Sequence, residues 1–134
     1  MTQPLKTESA AGNETVLVID DDEMVMEISQ ALLQRLGYKV LAAGNGHEAV
    51  NTCAEPSVKI DLAIMDVKLP DMDGLTLYEK LADTRPEMKV VVCSGYSVDG
   101  QAQSILDAGA KAFLQKPITV EALSTTIKKV LDGR

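Results

Sequence analysis

Aromatic residues are scarce in this chain: they make up 3% of its 134 residues, with one Phe, three Tyr and no Trp. Proteins that stack nucleic-acid bases or enclose a flavin ring need aromatic side chains on the binding surface. The composition therefore argues against both of these functions. Hydrophobic residues at 46% and charged residues at 25% are ordinary for a globular protein, and the length fits one domain.

Basic residues are also fewer than acidic residues. Thirteen Lys and Arg residues stand against twenty Asp and Glu residues, which leaves a net charge of −7 at pH 7. This charge repels the phosphates of nucleic acids and of anionic lipids, so neither is expected as a partner. The longest apolar runs fall far short of the ~20 residues that a membrane-spanning helix needs, so no membrane segment is expected in this chain.

Cysteine occurs only twice, at Cys53 and Cys93, forty residues apart. There is no CxxC motif and no companion histidine, so neither a disulfide nor a thiolate metal site is indicated. Both cysteines fall in predicted core segments, which favours buried, reduced thiols. Reduced thiols fit a reducing compartment, and we expect a cytoplasmic location.

Short apolar blocks alternate with segments of helical periodicity along the chain. The five blocks are VLVI (16–19), VLAA (40–43), LAIM (62–65), VVVC (90–93) and AFL (112–114). Continuous apolar runs of this length are typical of strands that are covered on both faces. Five strands are too few for a closed eight-stranded barrel. The pattern therefore predicts an α/β fold of five βα units, with an open, doubly wound parallel sheet.

Local signals predict where the helices begin and end. Asn45 is expected to begin the second helix, Asp73 the third and Thr119 the fifth, because their side chains can accept hydrogen bonds from free helix N–H groups. The first helix is expected to end at Gly37. Its predicted apolar stripe consists of Val25, Ile28, Leu32 and Leu36.

Polar residues follow four of the five predicted strands. Asp20, Asp21 and Asp22 follow the first strand, Asp66 the third, Ser94 the fourth and Lys116 the fifth; only the second ends without such a group, as an edge strand can. Each of these residues alone could be a helix cap, a turn residue or a solvated side chain. Because the carboxyl ends of parallel strands meet at one edge of the sheet, their joint occurrence indicates a single site.

The residue types at this edge suit a divalent cation and a phosphoryl group. Mg²⁺ prefers oxygen ligands and relieves the repulsion between carboxylates, and Asp20, Asp21 and Asp66 can supply such oxygens. Lys116 adds a positive charge and Ser94 a hydroxyl donor for an anion. Asp66, near the middle of the sheet, can act as a carboxylate nucleophile. Neither GxxxxGK nor GxGxxG occurs, so the phosphoryl donor must be another molecule.

Four segments carry a family resemblance. They are VLVIDDDE (16–23), LAIMDVKLPDMDG (62–74), VVVCSGY (90–96) and GAKAFLQKP (109–117). In this order and spacing they resemble the receiver domains of bacterial two-component response regulators, over residues 14–132. The resemblance implies a flavodoxin-like sheet with strand order 2-1-3-4-5. It also implies a phosphoacceptor in a phosphorelay rather than an enzyme, with at most self-catalysed phosphotransfer and autodephosphorylation.

The resemblance assigns the phosphoacceptor and the metal ligands. Asp66 would receive the phosphoryl group and, with Asp21, would bind Mg²⁺ (or Mn²⁺) directly. Asp20 would hold the metal through water, and the backbone carbonyl of Lys68 would be a further ligand. Lys68 and Tyr96, two residues beyond the acceptor and the switch serine, are expected to tune the hydrolysis of the acyl phosphate.

The resemblance also implies a conformational switch. Ser94 would contact the phosphoryl oxygens, Lys116 would pair with them, and the bond from Lys116 to Pro117 would be cis. Phe113 matches the aromatic switch position, although it is equally compatible with ordinary core packing. Inward movement of Ser94 and Phe113 would alter the surface of the fourth helix, the fifth strand and the fifth helix for a downstream protein partner.

The expected phosphodonor is a histidine kinase or a histidine phosphotransfer protein. Residues 1–13 are polar and without periodicity, and are predicted to be a flexible tail or linker. The segment GNETVLVIDDDE and the run SGYS…FLQKP are similar to receivers at the C-terminus of hybrid histidine kinases. A stand-alone receiver and a domain of a larger protein both fit the sequence.

Three other functions fit parts of the sequence less well. An aspartate-nucleophile phosphatase needs a second acid two residues after the nucleophile, where Lys68 stands. A flavodoxin-like cofactor binder needs a Ser/Thr-rich phosphate loop after the first strand, where three acids stand. A docking module that works without phosphorylation is the remaining alternative; the complete acidic set disfavours it, and Mg²⁺-dependent labelling would distinguish the two. His47, the only histidine, is predicted to be a solvated residue in the first turn of the second helix.

Overall fold

The computed structural model describes residues 14–95 and 100–133, in which strands and helices alternate. The strands are β1 (Thr15–Ile19), β2 (Lys39–Ala43), β3 (Leu62–Asp66), β4 (Lys89–Ser94) and β5 (Ala112–Gln115). The helices are α1 (Glu23–Arg35), α2 (Gly46–Ala54), α3 (Gly74–Thr84), α4 (Gly100–Ala108) and α5 (Val120–Leu131). The predicted tail and Tyr96 lie outside the described residues.

All five strands belong to one sheet, in the order β2-β1-β3-β4-β5. Every neighbouring pair is parallel. The predicted α/β architecture and strand order are therefore confirmed. Ile19 is paired with Met65, and Asp66 with Cys93, so the residues that follow β1, β3 and β4 begin as neighbours. Among the residues described, no helix has the length and apolar character needed to cross a membrane.

Two apolar layers cover the sheet, because successive side chains of a strand lie on opposite faces. In β1, Leu17 and Ile19 pack in the cluster formed with α2, α3 and α4, whereas Val16 and Val18 pack in the cluster formed with α1 and α5. Full burial of such a side chain contributes about 1.5–3 kcal/mol. The middle residues of the central strands β1, β3 and β4 are apolar because both faces of these strands are covered.

The buried face of α1 differs from the predicted one. The structure buries Ser29 and Leu33, whereas Ile28 is 50% exposed and Met24 is 70% exposed. The predicted inward stripe is therefore wrong at Ile28 and misses Leu33. Apolar residues occur around most of α1, so their periodicity is compatible with more than one buried face. The face that is buried in the structure includes the small Ser29.

Three helices begin directly after the predicted capping residues. The side chain of Asn45 accepts a hydrogen bond from a backbone N–H of α2, that of Asp73 accepts from α3, and that of Thr119 from α5. Asp22 does the same for α1, so the third acid after β1 serves as a helix cap. Gly37 follows α1 with a φ of 96°, a left-handed conformation that favours glycine.

The C-terminal end of α2 is held by an arginine that follows α3. Arg85 Nε donates to the carbonyl of Cys53 over 2.8 Å, and its Nη2 donates to the carbonyl of Glu55 over 2.7 Å. The last carbonyls of a helix have no partner within the helix. A cationic donor satisfies them and also interacts favourably with the helix dipole. Arg85 thereby ties α2 to α3.

Replacing Arg85 with methionine is expected to lower the free energy of unfolding by about 2 kcal/mol. The change keeps an apolar stem but removes two hydrogen bonds from a charged donor, for which the net contribution is ~1.5–3 kcal/mol each. One of the two is exposed, so water can replace part of the lost contact. Urea denaturation monitored by circular dichroism measures the effect. The matched change at the exposed Lys80 of α3 is expected to stay within ~0.5 kcal/mol of the parent protein. Equal losses for Arg85→Met and Lys80→Met would contradict the assignment.

Candidate functional site

Three aspartates gather at the carboxyl edge of β1 and β3. Asp20, Asp21 and Asp66 each offer one carboxylate oxygen, and these three atoms lie within 4.8 Å of one another. Asp20 is buried, Asp66 is half-buried and Asp21 is exposed. The parallel pairing of β1 with β3 brings them together. An all-oxygen donor set with several negative charges fits a small, hard divalent cation such as Mg²⁺.

Lys116 links two of these carboxylates from the end of β5. Its Nζ lies 2.8 Å from Asp20 Oδ2 and 3.2 Å from Asp66 Oδ2. The side chain of Lys116 is 20% exposed and those of Asp20 and Asp66 are 5% and 12% exposed, so water screens these ion pairs weakly. The backbone N–H of Lys116 donates to the carbonyl of Ser94 over 2.7 Å, which ties the ends of β4 and β5 together.

The pKa values of Asp66 and Lys116 reflect this burial and charge. Burial raises the pKa of Asp66, and the nearby charge of Asp20 raises it further, although Lys116 acts in the opposite direction. Burial alone would lower the pKa of Lys116, but the hydrogen bond to Asp20 and the charges of Asp66 and Asp20 raise it. The site therefore holds a desolvated carboxylate beside a firmly charged ammonium group.

The backbone holds the two inner acids in position. The N–H of Asp20 donates to the carbonyl of Ala43 over 3.1 Å, and the Asp20 carboxylate accepts from the N–H of Asp22 over 2.9 Å. Asp66 is the last residue of β3, and its carboxylate faces the N–H of Lys68 at 3.4 Å. Asp20 and Asp66 thus belong to the rigid end of the sheet.

Ser94 and Phe113 lie on the two strands beside this cluster. Ser94 ends β4 and is 5% exposed, one residue beyond the partner of Asp66 in the strand register. Phe113 is partly buried and packs against the apolar cluster on the side of α4. The peptide bond from Lys116 to Pro117 is cis.

Asp71 is a residue of the site region for which the sequence suggested no role. Its carboxylate accepts hydrogen bonds from the N–H groups of Gly46 and His47, each over 2.9 Å, and lies 2.5 Å from His47 Nδ1. His47 is exposed in the first turn of α2, as predicted, but it is also paired with Asp71. The hydrogen bonds from His47 and Gly46 lower the pKa of Asp71 to about 2. Because Asp71 caps α2 from a loop 25 residues further along the chain, no local sequence pattern predicts this contact.

Comparison with known proteins identifies the family. The model of the response regulator receiver domain matches residues 16–128. The sensor kinase CckA of Brucella abortus (strain 2308) is 38% identical over 128 residues, which cover 95% of this chain and 13% of that kinase. The chain belongs to the response regulator receiver domain family of two-component systems, and it spans only a small part of the length of this relative.

Solved structures of receiver domains have the same fold. A response regulator receiver domain protein (CheY-like) from Methanospirillum hungatei JF-1 matches with a TM-score of 0.81 and 33% identity, over 89% of this chain and 94% of the other. The response regulator TrrA from Thermotoga maritima, in complex with Mg²⁺-BeF, matches with a TM-score of 0.73 and 26% identity, over 87% of this chain and 98% of the other. Both comparisons show that this chain has the fold of response regulator receiver domains.

Proposed function

We propose that this receiver domain accepts a phosphoryl group on Asp66 and thereby changes the surface that it offers to a partner protein. The observation that carries the proposal is the meeting of three carboxylate oxygens with the Lys116 ammonium group at one edge of the sheet. Asp66 is the member of this group that is both half-buried and fixed at the end of a central strand. Membership of the receiver family supports the same residue.

Asp20, Asp21 and Asp66 would hold a Mg²⁺ or Mn²⁺ ion, together with the backbone carbonyl of Lys68. The bound ion would neutralise negative charge on the transferring phosphoryl oxygens. Within the described residues, these three aspartates are the group of potential ligands close enough to share one ion. The complex of TrrA with Mg²⁺-BeF supports this assignment.

The proposed reaction transfers a phosphoryl group from a histidine of the donor to the carboxylate of Asp66. A carboxylate oxygen of Asp66 forms a bond to phosphorus while the P–N bond of the donor's phosphohistidine breaks and the imidazole leaves. Lys116 stabilises the charge on the phosphoryl oxygens from the side of β5, a position that its contacts with Asp20 and Asp66 already define. The domain holds the reacting atoms and acts on no separate substrate, so its catalysis is limited to its own phosphorylation and dephosphorylation.

Ser94 and Phe113 would transmit the change. Ser94 is buried at the end of β4, where its hydroxyl could reach an oxygen of a phosphoryl group on Asp66 in the neighbouring strand. Movement of Ser94 would open space on the side of α4, against which Phe113 already packs. The phosphorylated form would then favour a different surface across α4, β5 and α5 for a downstream protein.

A histidine kinase or a histidine phosphotransfer protein is the proposed phosphodonor. Met24 and Ile28 stand exposed on α1, which begins directly after the acidic edge. Exposed apolar side chains beside a polar reaction site suit the docking of a protein donor. The similarity to the sensor kinase CckA supports a place in a phosphorelay. The free and buried thiols of Cys53 and Cys93 support a cytoplasmic location.

Incubation of the protein with acetyl phosphate and Mg²⁺ tests the proposal. We expect the mass of the intact protein to increase by one phosphoryl group, with the modification mapped to Asp66 after borohydride reduction. Chelation of Mg²⁺ with EDTA should reduce labelling to background, and Mn²⁺ should restore it. Absence of labelling under all conditions would favour a docking module that works without phosphorylation, and labelling at another residue would overturn the assignment.

A further inference from the structure

The loop between β3 and α3 is fastened to the first turn of α2. The two oxygens of the Asp71 carboxylate accept the N–H groups of Gly46 and His47, and the Asn45 side chain accepts that of Glu48 over 2.8 Å. The first N–H groups of a helix have no partner within the helix. Asp71 therefore supplies from a distant loop two of the hydrogen bonds that the start of α2 requires.

Packing and backbone pairing reinforce this attachment. A Cβ atom on Gly46 would lie 2.6 Å from Met72 Cγ, so the loop rests directly on a position that has no side chain. Lys68 forms an isolated antiparallel bridge with Asp73, which closes residues 68–73 into a small hairpin. Asp73 in turn accepts hydrogen bonds from the first turn of α3. The loop that directly follows Asp66 is thus held by both helices.

We infer that Asp71 is a positioning residue, which sets the Mg²⁺ affinity and the phosphorylation rate of Asp66 by fixing the loop from Lys68 to Asp73 on α2. The inference rests on the proposed function, because Lys68 belongs to the proposed metal site. Asp71 itself lies outside the cluster of three aspartates. It acts through the hairpin, whose other end is the Lys68 segment that contacts Asp66.

The physical reason is that the observed binding free energy of a ligand is reduced by the cost of ordering its binding site. A loop that is already held in place loses less conformational entropy when its backbone coordinates an ion. A loop released from α2 must be ordered at that moment, so the ion binds more weakly. By linkage, metal binding must also tighten the hydrogen bonds between Asp71 and α2.

The test compares Asp71→Ala with Asn45→Ala. Both remove acceptors from the start of α2, and each is expected to lower stability to a similar extent, but only Asp71→Ala releases the loop. We expect Asp71→Ala to raise the Mg²⁺ dissociation constant, measured by isothermal titration calorimetry, about threefold to tenfold, with Asn45→Ala within about twofold of the parent. Labelling by acetyl phosphate should be slow in Asp71→Ala at low Mg²⁺ and recover at saturating Mg²⁺.

Two further variants separate the loop contact from charge. Asp71→Asn loses the negative charge but keeps one acceptor oxygen, so it should bind Mg²⁺ more tightly than Asp71→Ala. The inference is overturned if Asp71→Asn and Asp71→Ala bind Mg²⁺ with equal affinity and high salt removes their difference from the parent protein. The loss of affinity would then come from the long-range charge of Asp71. His47→Ala keeps both backbone donors and should change the affinity less than about twofold.

Hydrogen exchange provides a readout that is independent of phosphorylation. In the parent protein, Mg²⁺ should slow the exchange of the Gly46 and His47 amides, and in Asp71→Ala this protection should be lost. If the parent protein itself binds no Mg²⁺, the proposed function fails. If the parent binds Mg²⁺ and Asp71→Ala binds it equally well, only the role of Asp71 is disproved.

Discussion

Replacing Asp66 with asparagine is expected to abolish acyl-phosphate labelling by acetyl phosphate. The amide has nearly the same shape as the carboxylate but lacks the negatively charged oxygen that forms the bond to phosphorus in the proposed reaction. Loss of a nucleophile typically costs far more than other changes at a site, so we expect the labelling rate to fall at least about a hundredfold. Intact-protein mass spectrometry over a time course measures this rate.

Stability measurements distinguish loss of the nucleophile from loss of the fold. Burial raises the pKa of Asp66 above its unfolded value, so ionisation of this carboxyl group lowers the stability of the folded protein, with the full loss present above the folded pKa. Without Mg²⁺ at pH 7.5, Asp66→Asn should therefore be at least as stable as the parent protein. This difference should vanish as the pH falls below the unfolded value of ~3.9, where the carboxyl group is protonated in both states.

Two controls accompany Asp66→Asn. Asp83→Asn makes the same chemical change at an exposed position of α3 and should leave labelling unchanged. His47→Ala removes the only histidine and should still give full labelling at the end of the reaction. Labelling that persists in Asp66→Asn would show that the phosphoacceptor is another residue.

Replacing Lys116 with methionine is expected to affect both stability and reaction rate. In the parent protein, Lys116 is the cation in contact with two poorly exposed carboxylates, those of Asp20 and Asp66. Removing one partner of a buried ion pair leaves an uncompensated charge, which costs about 3 kcal/mol. We expect this loss in unfolding experiments without divalent ions, and a ~100-fold slower labelling by acetyl phosphate because a charge-stabilising donor is missing.

Mg²⁺ should largely reverse the stability loss of Lys116→Met. Without the lysine, the cluster attracts a divalent cation more strongly, and ligand at a hundred times its dissociation constant adds ~2.7 kcal/mol of stability. The labelling rate should stay low even then, because the ion does not replace the contact from β5. Lys111→Met, at an exposed position before β5, is the matched control. A variant whose stability loss is the same with and without Mg²⁺ would contradict a shared site for the ion and the lysine.

The architecture and the acidic cluster could be predicted from the sequence because both depend on local patterns. Continuous apolar runs mark strands covered on both faces, and the carboxyl ends of parallel strands meet at one edge. The position after each strand was therefore enough to group Asp20, Asp66 and Lys116. Their distances, and the burial that raises the pKa of Asp66, required the structure.

Contacts between distant segments could not be predicted in the same way. Ile28 was expected to be buried, but the apolar residues of α1 are compatible with several buried faces. In the structure the buried face contains Ser29 and Leu33. Asp71 and Arg85 bind the two ends of α2 from other parts of the chain. Nothing in the spacing of either residue indicates a helix more than 20 positions away.

The two native cysteines also bear on how the proposed conformational switch can be tested. Cys53 and Cys93 are buried. Burial raises the pKa of Cys53 and raises that of Cys93 to about 12, so both thiols stay protonated and shielded at neutral pH. A single cysteine introduced on the surface would be far more reactive than either of them. Fluorescent or spin labels could therefore be attached at chosen points of the α5 face without first removing the native sulfhydryls, and the proposed change of that face could be tested in the otherwise unaltered molecule.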